Sequence, residues 1–153
     1  MSVEAKLQEL GIVLPEVPKP VAAYVPFVQT GDLVFTSGQI AVEAGALKFK
    51  GKIGKELTPE EGYQAARLCA TNTLAVLKSA VGSLDKVEQI VKVVVFVNSA
   101  DGFTGQPAVA NGASELYQQV FGDAGRHARS AVGAPELPLD TAVEVEVVAR
   151  IAK

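Results

Sequence analysis

Val87-Glu88-Gln89-Ile90-Val91-Lys92-Val93-Val94-Val95-Phe96-Val97 carries too many β-branched residues to favour a helix. Its unbroken apolar end, from Val93 to Val97, reads as a strand buried on both faces. No apolar run in the chain is longer, and this one falls far short of the roughly 20 residues a membrane helix needs. Just before it, Thr58-Pro59-Glu60-Glu61 announces a helix. Thr58 can accept from the third helical amide while Glu61 reaches back, and Pro59 stands where a missing N–H costs nothing. An apolar stripe at Ala66, Ala70, Leu74, Leu77 and Val81 follows, with Gly82 as the stop. Beyond the strand, a second helix is predicted from about Pro107 to Phe121, ending at Gly122.

The flanks read as strands. Tyr24 to Gln29 and Leu33 to Ser37 surround Thr30-Gly31-Asp32, a hairpin connection. Ala46 to Phe49, with Lys48 and Lys50, suggests an exposed edge strand. Ala128 to Val132 and Ala142 to Ile151 complete the set. Ser2 to Leu10 is predicted as a short capped helix, followed by a stretch that Pro15, Pro18 and Pro20 hold extended. Strands, helix, strand, helix, strands specify an α+β or α/β sandwich with helices on one face of a mixed sheet. With 153 residues and no repeat or linker, the expectation is one domain over 1–153 with a short N-terminal helical extension, about 1–20.

Composition narrows the function. Apolar residues make up 48% and charged residues 20%, the balance of a globular chain. Seventeen acidic residues against 14 basic give a net charge of −3, which argues against a duplex-binding field. One cysteine and one histidine exclude a disulfide framework and ordinary zinc ligand sets. The first residues lack the cationic start and apolar run of a secretory signal, so a cytoplasmic protein is expected, with no membrane partner. Neither phosphate-binding glycine motif occurs. A serine triad needs an activated serine beside His127, and no Gly-x-Ser-x-Gly elbow exists to place one.

Along the last strand Val143, Val145 and Val147 share one face, and Glu144, Glu146, Val148 and Arg150 the other. The valine face suits packing under helices. The glutamate face is either solvated or covered by another subunit, and partial burial there would raise a carboxyl pKa enough for acid–base work. Arg129, in a strand beside small residues, suits a bidentate grip on a carboxylate, with a salt bridge to the last-strand glutamates as the alternative. Arg126 and His127 stand nearer the loop, where a lone histidine is ordinarily a surface residue. Cys69 falls beside the helix stripe and reads as core filler. Ser37-Gly38 ends a strand, where a hydroxyl and free amides can orient a ligand.

Three separated motifs carry a resemblance. Leu33-Val34-Phe35-Thr36-Ser37-Gly38-Gln39-Ile40, then Ala128-Arg129-Ser130-Ala131-Val132, then Leu137-Pro138 with Val143-Glu144-Val145-Glu146, resemble the reactive-intermediate deaminase family (RidA, also called YjgF) over about residues 24–151. The chain looks like a longer-chain subgroup. The resemblance implies a chorismate-mutase-like α+β fold of the bacillus type, with two main helices on one face of a mixed sheet, assembled as a homotrimer with clefts between subunits. It implies hydrolysis of enamines and imines such as 2-aminoacrylate to a 2-keto acid and ammonia, without metal or cofactor. By motif, Arg129 matches the arginine that holds the substrate carboxylate and Glu144 the acid near the water. Tyr24 and Ser37 match pocket-lining groups, and Gly38 and Ala131 stand where backbone faces the pocket.

Departures from the family pattern are local. Ala22-Ala23 precede Tyr24 where Gly-Pro is usual, and Ala131 replaces a frequent cysteine. Ser114 replaces a typical asparagine, while Asn111, one turn earlier, offers an amide. Two other functions use the same residues: a trimer that binds small carboxylates without turnover, and an endoribonuclease. The negative charge and the lack of a basic stripe with interleaved aromatics make nucleic acid an unfavoured partner.

Overall fold

Thr58 caps its helix as its sequence requires. Its Oγ1 accepts from the Glu61 amide at 3.1 Å and its own amide donates to Glu61 Oε1 at 3.1 Å. The helix they open, α2, runs Pro59–Val81 and ends where Gly82 turns back at φ +83°. In this computed structural model, which describes residues 1–17 and 22–153, α2 is preceded by α1 (Val3–Glu9) and five short strands. These are β1 (Phe27–Thr30), β2 (Leu33–Thr36), β3 (Gln39–Ile40), β4 (Val42–Glu43) and β5 (Ala46–Leu47). After α2 come β6 (Val87–Asn98), α3 (Gln106–Phe121), β7 (Ala128–Ala134) and β8 (Val143–Ile151).

The main sheet has the order β1-β2-β8-β6-β7, with β3 also on β8, and only the β6–β7 pair is parallel. A parallel neighbour needs a long crossover, and α3 is that crossover. Val143, Val145 and Val147 are buried under the helices, as their spacing predicted. Fully burying each valine contributes about 1.5–3 kcal/mol. A one-residue slip would expose all three and bury Glu144 and Glu146, so the register of β8 is strongly specified.

Glycine sets the distance between the two long helices. A Cβ on Gly112 of α3 would lie 2.0 Å from the Tyr63 carbonyl oxygen of α2, so only a bare backbone allows this approach. Cys69 is fully buried, with its thiol on the Val143 carbonyl at 3.3 Å. At the N-terminus, Ser2 caps α1, Leu7 is in the core, and the Val3 amide donates to Asp85 at 2.7 Å. Among the described residues no helix is long and apolar enough to cross a membrane.

Several sequence expectations need correction. The first strand starts at Phe27 and not at Tyr24, because Pro26 has no N–H to give to a ladder and instead accepts from the Ser37 amide at 2.8 Å. Its hairpin has a two-residue turn, Gly31-Asp32, since Thr30 pairs with Leu33. The segment after Gly45 is an edge strand, as expected, but only Ala46–Leu47 is strand, and it pairs with Val42–Glu43 in a separate two-stranded sheet and not with the main one. Strand β6 is covered on one face only. Val93, Val95 and Val97 are buried, while Val94 and Phe96 are only half-covered on the other face. Pro15 lies in a segment without regular structure, and Pro18 and Pro20 fall outside the described residues.

Candidate functional site

Ladder pairing decides which side each candidate occupies, because directly opposed residues point to one face. Arg129 pairs with Val93 and Ala131 with Val95, both buried under the helices, so Arg129 and Ala131 point to the helix side at the β7 edge. Glu144 pairs with Phe96 and with Ile40, on the face without helices. Within the chain the two residues expected to carry catalysis therefore stand on opposite faces of the sheet.

On the helix side, Arg129 Nη1 donates to Asn111 Oδ1 at 2.8 Å and to Ser114 Oγ at 3.1 Å. The two α3 residues are one turn apart, so both reach one guanidinium. Among the described residues Arg129 has no carboxylate ion pair, which overturns the alternative of a salt bridge to the last-strand glutamates. His127 joins this cluster. Its Nε2 meets Ser114 Oγ at 2.9 Å and its Nδ1 meets the Gly125 carbonyl at 2.7 Å. The Tyr117 ring stands edge-on to it with centroids 5.7 Å apart. Burial pushes the imidazole below its ordinary pKa, against the Gly125 hydrogen bond and with help from the Arg129 charge. Asn111, Ser114, Glu115, Arg126, His127 and Arg129 border a cavity of about 410 Å³. Its size falls within the usual range of small-molecule sites.

His127 is thus half-buried and engaged, not the surface residue expected from its loop position. The signal that could have found it is the strand period: His127, immediately before β7, is two residues from Arg129 and so in phase with the side of β7 that Arg129 and Ala131 occupy.

On the other face, the Glu144 carboxylate lies against the backbone of Gly38, where an added Cβ would stand 2.1 Å from its Oε2. A side chain at position 38 would displace that carboxylate. Burial, with the neighbouring Glu146 charge second, raises the Glu144 pKa above the ordinary carboxylate value. Ser37 is next to this point, its hydroxyl donating to the Val25 carbonyl at 2.6 Å. Tyr24 is 68% exposed. The structure therefore gathers Arg129, Asn111 and Ser114 into one group, with Ala131 on the same side, and Ser37, Gly38 and Glu144 into another.

A larger cavity, about 840 Å³, opens between residues 11–15, the β4–β5 hairpin and α2. None of the site candidates read from the sequence lines it.

The family described as "YjgF/chorismate_mutase-like, putative endoribonuclease" matches residues 4–151. Protein TCP17 of Trypanosoma cruzi is 45% identical over 150 residues, 97% of this chain and 94% of that protein. A protein of Dermatophagoides farinae named 2-iminobutanoate/2-iminopropanoate deaminase is 31% identical over 132 residues, covering 86% of this chain and 88% of its own length. Among solved structures, a Shewanella oneidensis protein described as a putative endoribonuclease superposes with a TM-score of 0.95 at 34% identity, covering 99% of this chain and all of that one.

Proposed function

The chain belongs to the YjgF/chorismate mutase-like family and has its α+β fold, and on that premise we propose that it hydrolyses small carboxylate-bearing imines and enamines to a 2-keto acid and ammonia. The observation that carries the reading is the Arg129 guanidinium, fixed by Asn111 and Ser114 and free of carboxylate partners among the described residues. Only one of its nitrogens is engaged there. The remaining donors suit the fork of an incoming carboxylate. The Dermatophagoides farinae relative, named a 2-iminobutanoate/2-iminopropanoate deaminase, supports the substrate class.

The working cleft is completed by a second copy of the chain. Arg129 and Glu144 point to opposite sheet faces, so one subunit supplies the arginine side and its neighbour the Tyr24, Ser37, Gly38 and Glu144 side. The open face supports such assembly: Val28, Phe35 and Val132 are exposed there beside half-covered Val94 and Phe96. Apolar residues so placed gain by cover from another subunit. Three copies close a ring, consistent with the family resemblance.

In that cleft Arg129 holds the substrate carboxylate and so fixes the C=N carbon near a water. Glu144, whose pKa is raised by burial, gives its proton to the enamine carbon, which leaves an iminium ion. The resulting carboxylate then takes a proton from the attacking water. Glu144 gives that proton to the carbinolamine nitrogen as the C–N bond breaks and takes the hydroxyl proton in return, which releases ammonia and the keto acid.

Ammonia release from freshly generated 2-aminoacrylate, run beside light scattering at micromolar concentration, tests both parts. The expected result is catalytic ammonia release by a trimer. No release above the spontaneous rate would leave a carboxylate-binding trimer, and a monomeric mass would refute the shared cleft.

A further inference from the structure

Ser114 is a mid-helix serine that does not behave like one. Such hydroxyls ordinarily bond back to a carbonyl of the preceding turn. In this protein Thr71 donates to the Arg67 carbonyl at 2.9 Å, Thr73 to that of Ala70 at 2.6 Å and Ser79 to that of Val76 at 2.7 Å. The Ser114 hydroxyl instead turns to His127 Nε2, 2.9 Å away, with Arg129 Nη1 at 3.1 Å.

The histidine tautomer follows from its other contact. The Gly125 carbonyl, 2.7 Å from Nδ1, can only accept, so Nδ1 carries the hydrogen and neutral Nε2 is left as an acceptor. Ser114 O–H must therefore donate to it. A hydroxyl on a base, and the base oriented by a third group, is the arrangement of an activated nucleophile. The backbone that orients His127 is itself constrained: a Cβ on Gly125 would lie 2.1 Å from the Tyr117 carbonyl oxygen. The pair opens onto the cavity, whose charged lining is Arg126, Arg129 and Glu115, two cations against one carboxylate.

The geometry points to a second activity at this cavity: Ser114 and His127 form a nucleophile–base dyad that hydrolyses short acyl esters bearing a carboxylate. Ser114 Oγ bonds to the acyl carbon as its proton passes to His127 Nε2. The bond to the leaving alcohol breaks, and that alcohol leaves with the proton from His127. A water then attacks the acyl-serine and gives its proton to His127, the acyl–Oγ bond breaks, and Ser114 recovers the proton as the acid departs. Arg129 serves through its unengaged N–H groups, on the substrate carboxylate or on the oxyanion. The inference stands on one protomer's own cavity and does not rest on imine hydrolysis.

The probe is the mono-4-nitrophenyl ester of succinic acid, with 4-nitrophenyl acetate as the uncharged comparison. The full-length protein should release a burst of nitrophenolate and gain one succinyl group on the peptide containing Ser114. Ser114→Ala should remove both the burst and the adduct, and His127→Gln should slow acylation at least about a hundredfold. Thermal melts of both variants check that the fold is kept. Arg129→Ala should lose most of the preference for the succinate ester. An adduct on another residue, no adduct, or a burst that survives Ser114→Ala overturns the proposal. Ammonia release is a separate readout, so acylation at Ser114 without ammonia release would refute imine hydrolysis and leave the dyad standing.

Discussion

Replacing Arg129 by alanine separates binding from stability. In the folded chain Arg129 Nη1 makes two hydrogen bonds, to Asn111 and Ser114, at a half-buried site. Truncation leaves two neutral groups, of which Ser114 keeps His127 and Asn111 turns to water. The stability loss should therefore be about 1 kcal/mol, a fall in Tm of about 2–4 °C for a chain of this size. A bound carboxylate loses far more. Two charge-assisted hydrogen bonds at about 1.5–3 kcal/mol each correspond to an affinity drop of at least about a hundredfold. Arg129→Lys should recover little, since an ammonium is a point charge and cannot hold Asn111, Ser114 and a forked carboxylate together. Calorimetric titration with pyruvate, run beside melts of the wild type and both variants, reads the two effects separately. Unchanged affinity in a folded Arg129→Ala protein would refute the grip. A Tm drop of tens of degrees, with binding lost only as the protein unfolds, would make the arginine structural.

Cys69→Ala should keep full catalytic activity and lose about 1 kcal/mol through the small cavity, because burial holds the thiol well above its ordinary pKa and far from reactivity; a folded but inactive variant would contradict this. Gly112→Ala forces a methyl onto the Tyr63 carbonyl oxygen, so overpacking of about 2 kcal/mol should lower Tm by about 4–8 °C and weaken carboxylate binding as α3 carries Asn111 and Ser114 away; an unchanged melt would show that the helices part freely. Glu144 has a raised folded pKa, so the folded state binds its proton more tightly and stability falls as pH rises from the ordinary carboxylate range through the raised value. Glu144→Gln should therefore melt higher than wild type at neutral pH, with the difference vanishing at pH values below the ordinary carboxylate pKa, while ammonia release is lost; equal melts at both pH values would refute the assigned burial.

Local physics was legible along the chain. Thr58 to Glu61 announced α2 because a capping box involves only neighbours in sequence, and Gly82 ended it for the same reason. Valines at alternate positions identified the buried face of β8, since the strand period places them together whatever the partner is. The start of β1 was misplaced because the apolar pattern outweighed one missing donor at Pro26. Strands β3 and β4 were not anticipated: two-residue elements carry no period to read. Arg129, Asn111 and Ser114 were singled out by motif, and the structure does bring those three together.

Residue spacing and composition by themselves determined that this chain folds as helices over one face of a mixed sheet, because caps, stops and hydrophobic periods act within a few residues. Which side of the sheet each polar group occupies was decided only by tertiary structure. That side depends on the β6–β7 and β6–β8 registers, which bring residues dozens of positions apart into line. Those registers put Arg129 with the helices and Glu144 on the open face. They also turned the chain's one histidine onto Ser114, a contact closed by the approach of α3 to α2 at a glycine and by the bend at Gly125. Such contacts rest on close packing over long sequence separations, and no local pattern encodes them.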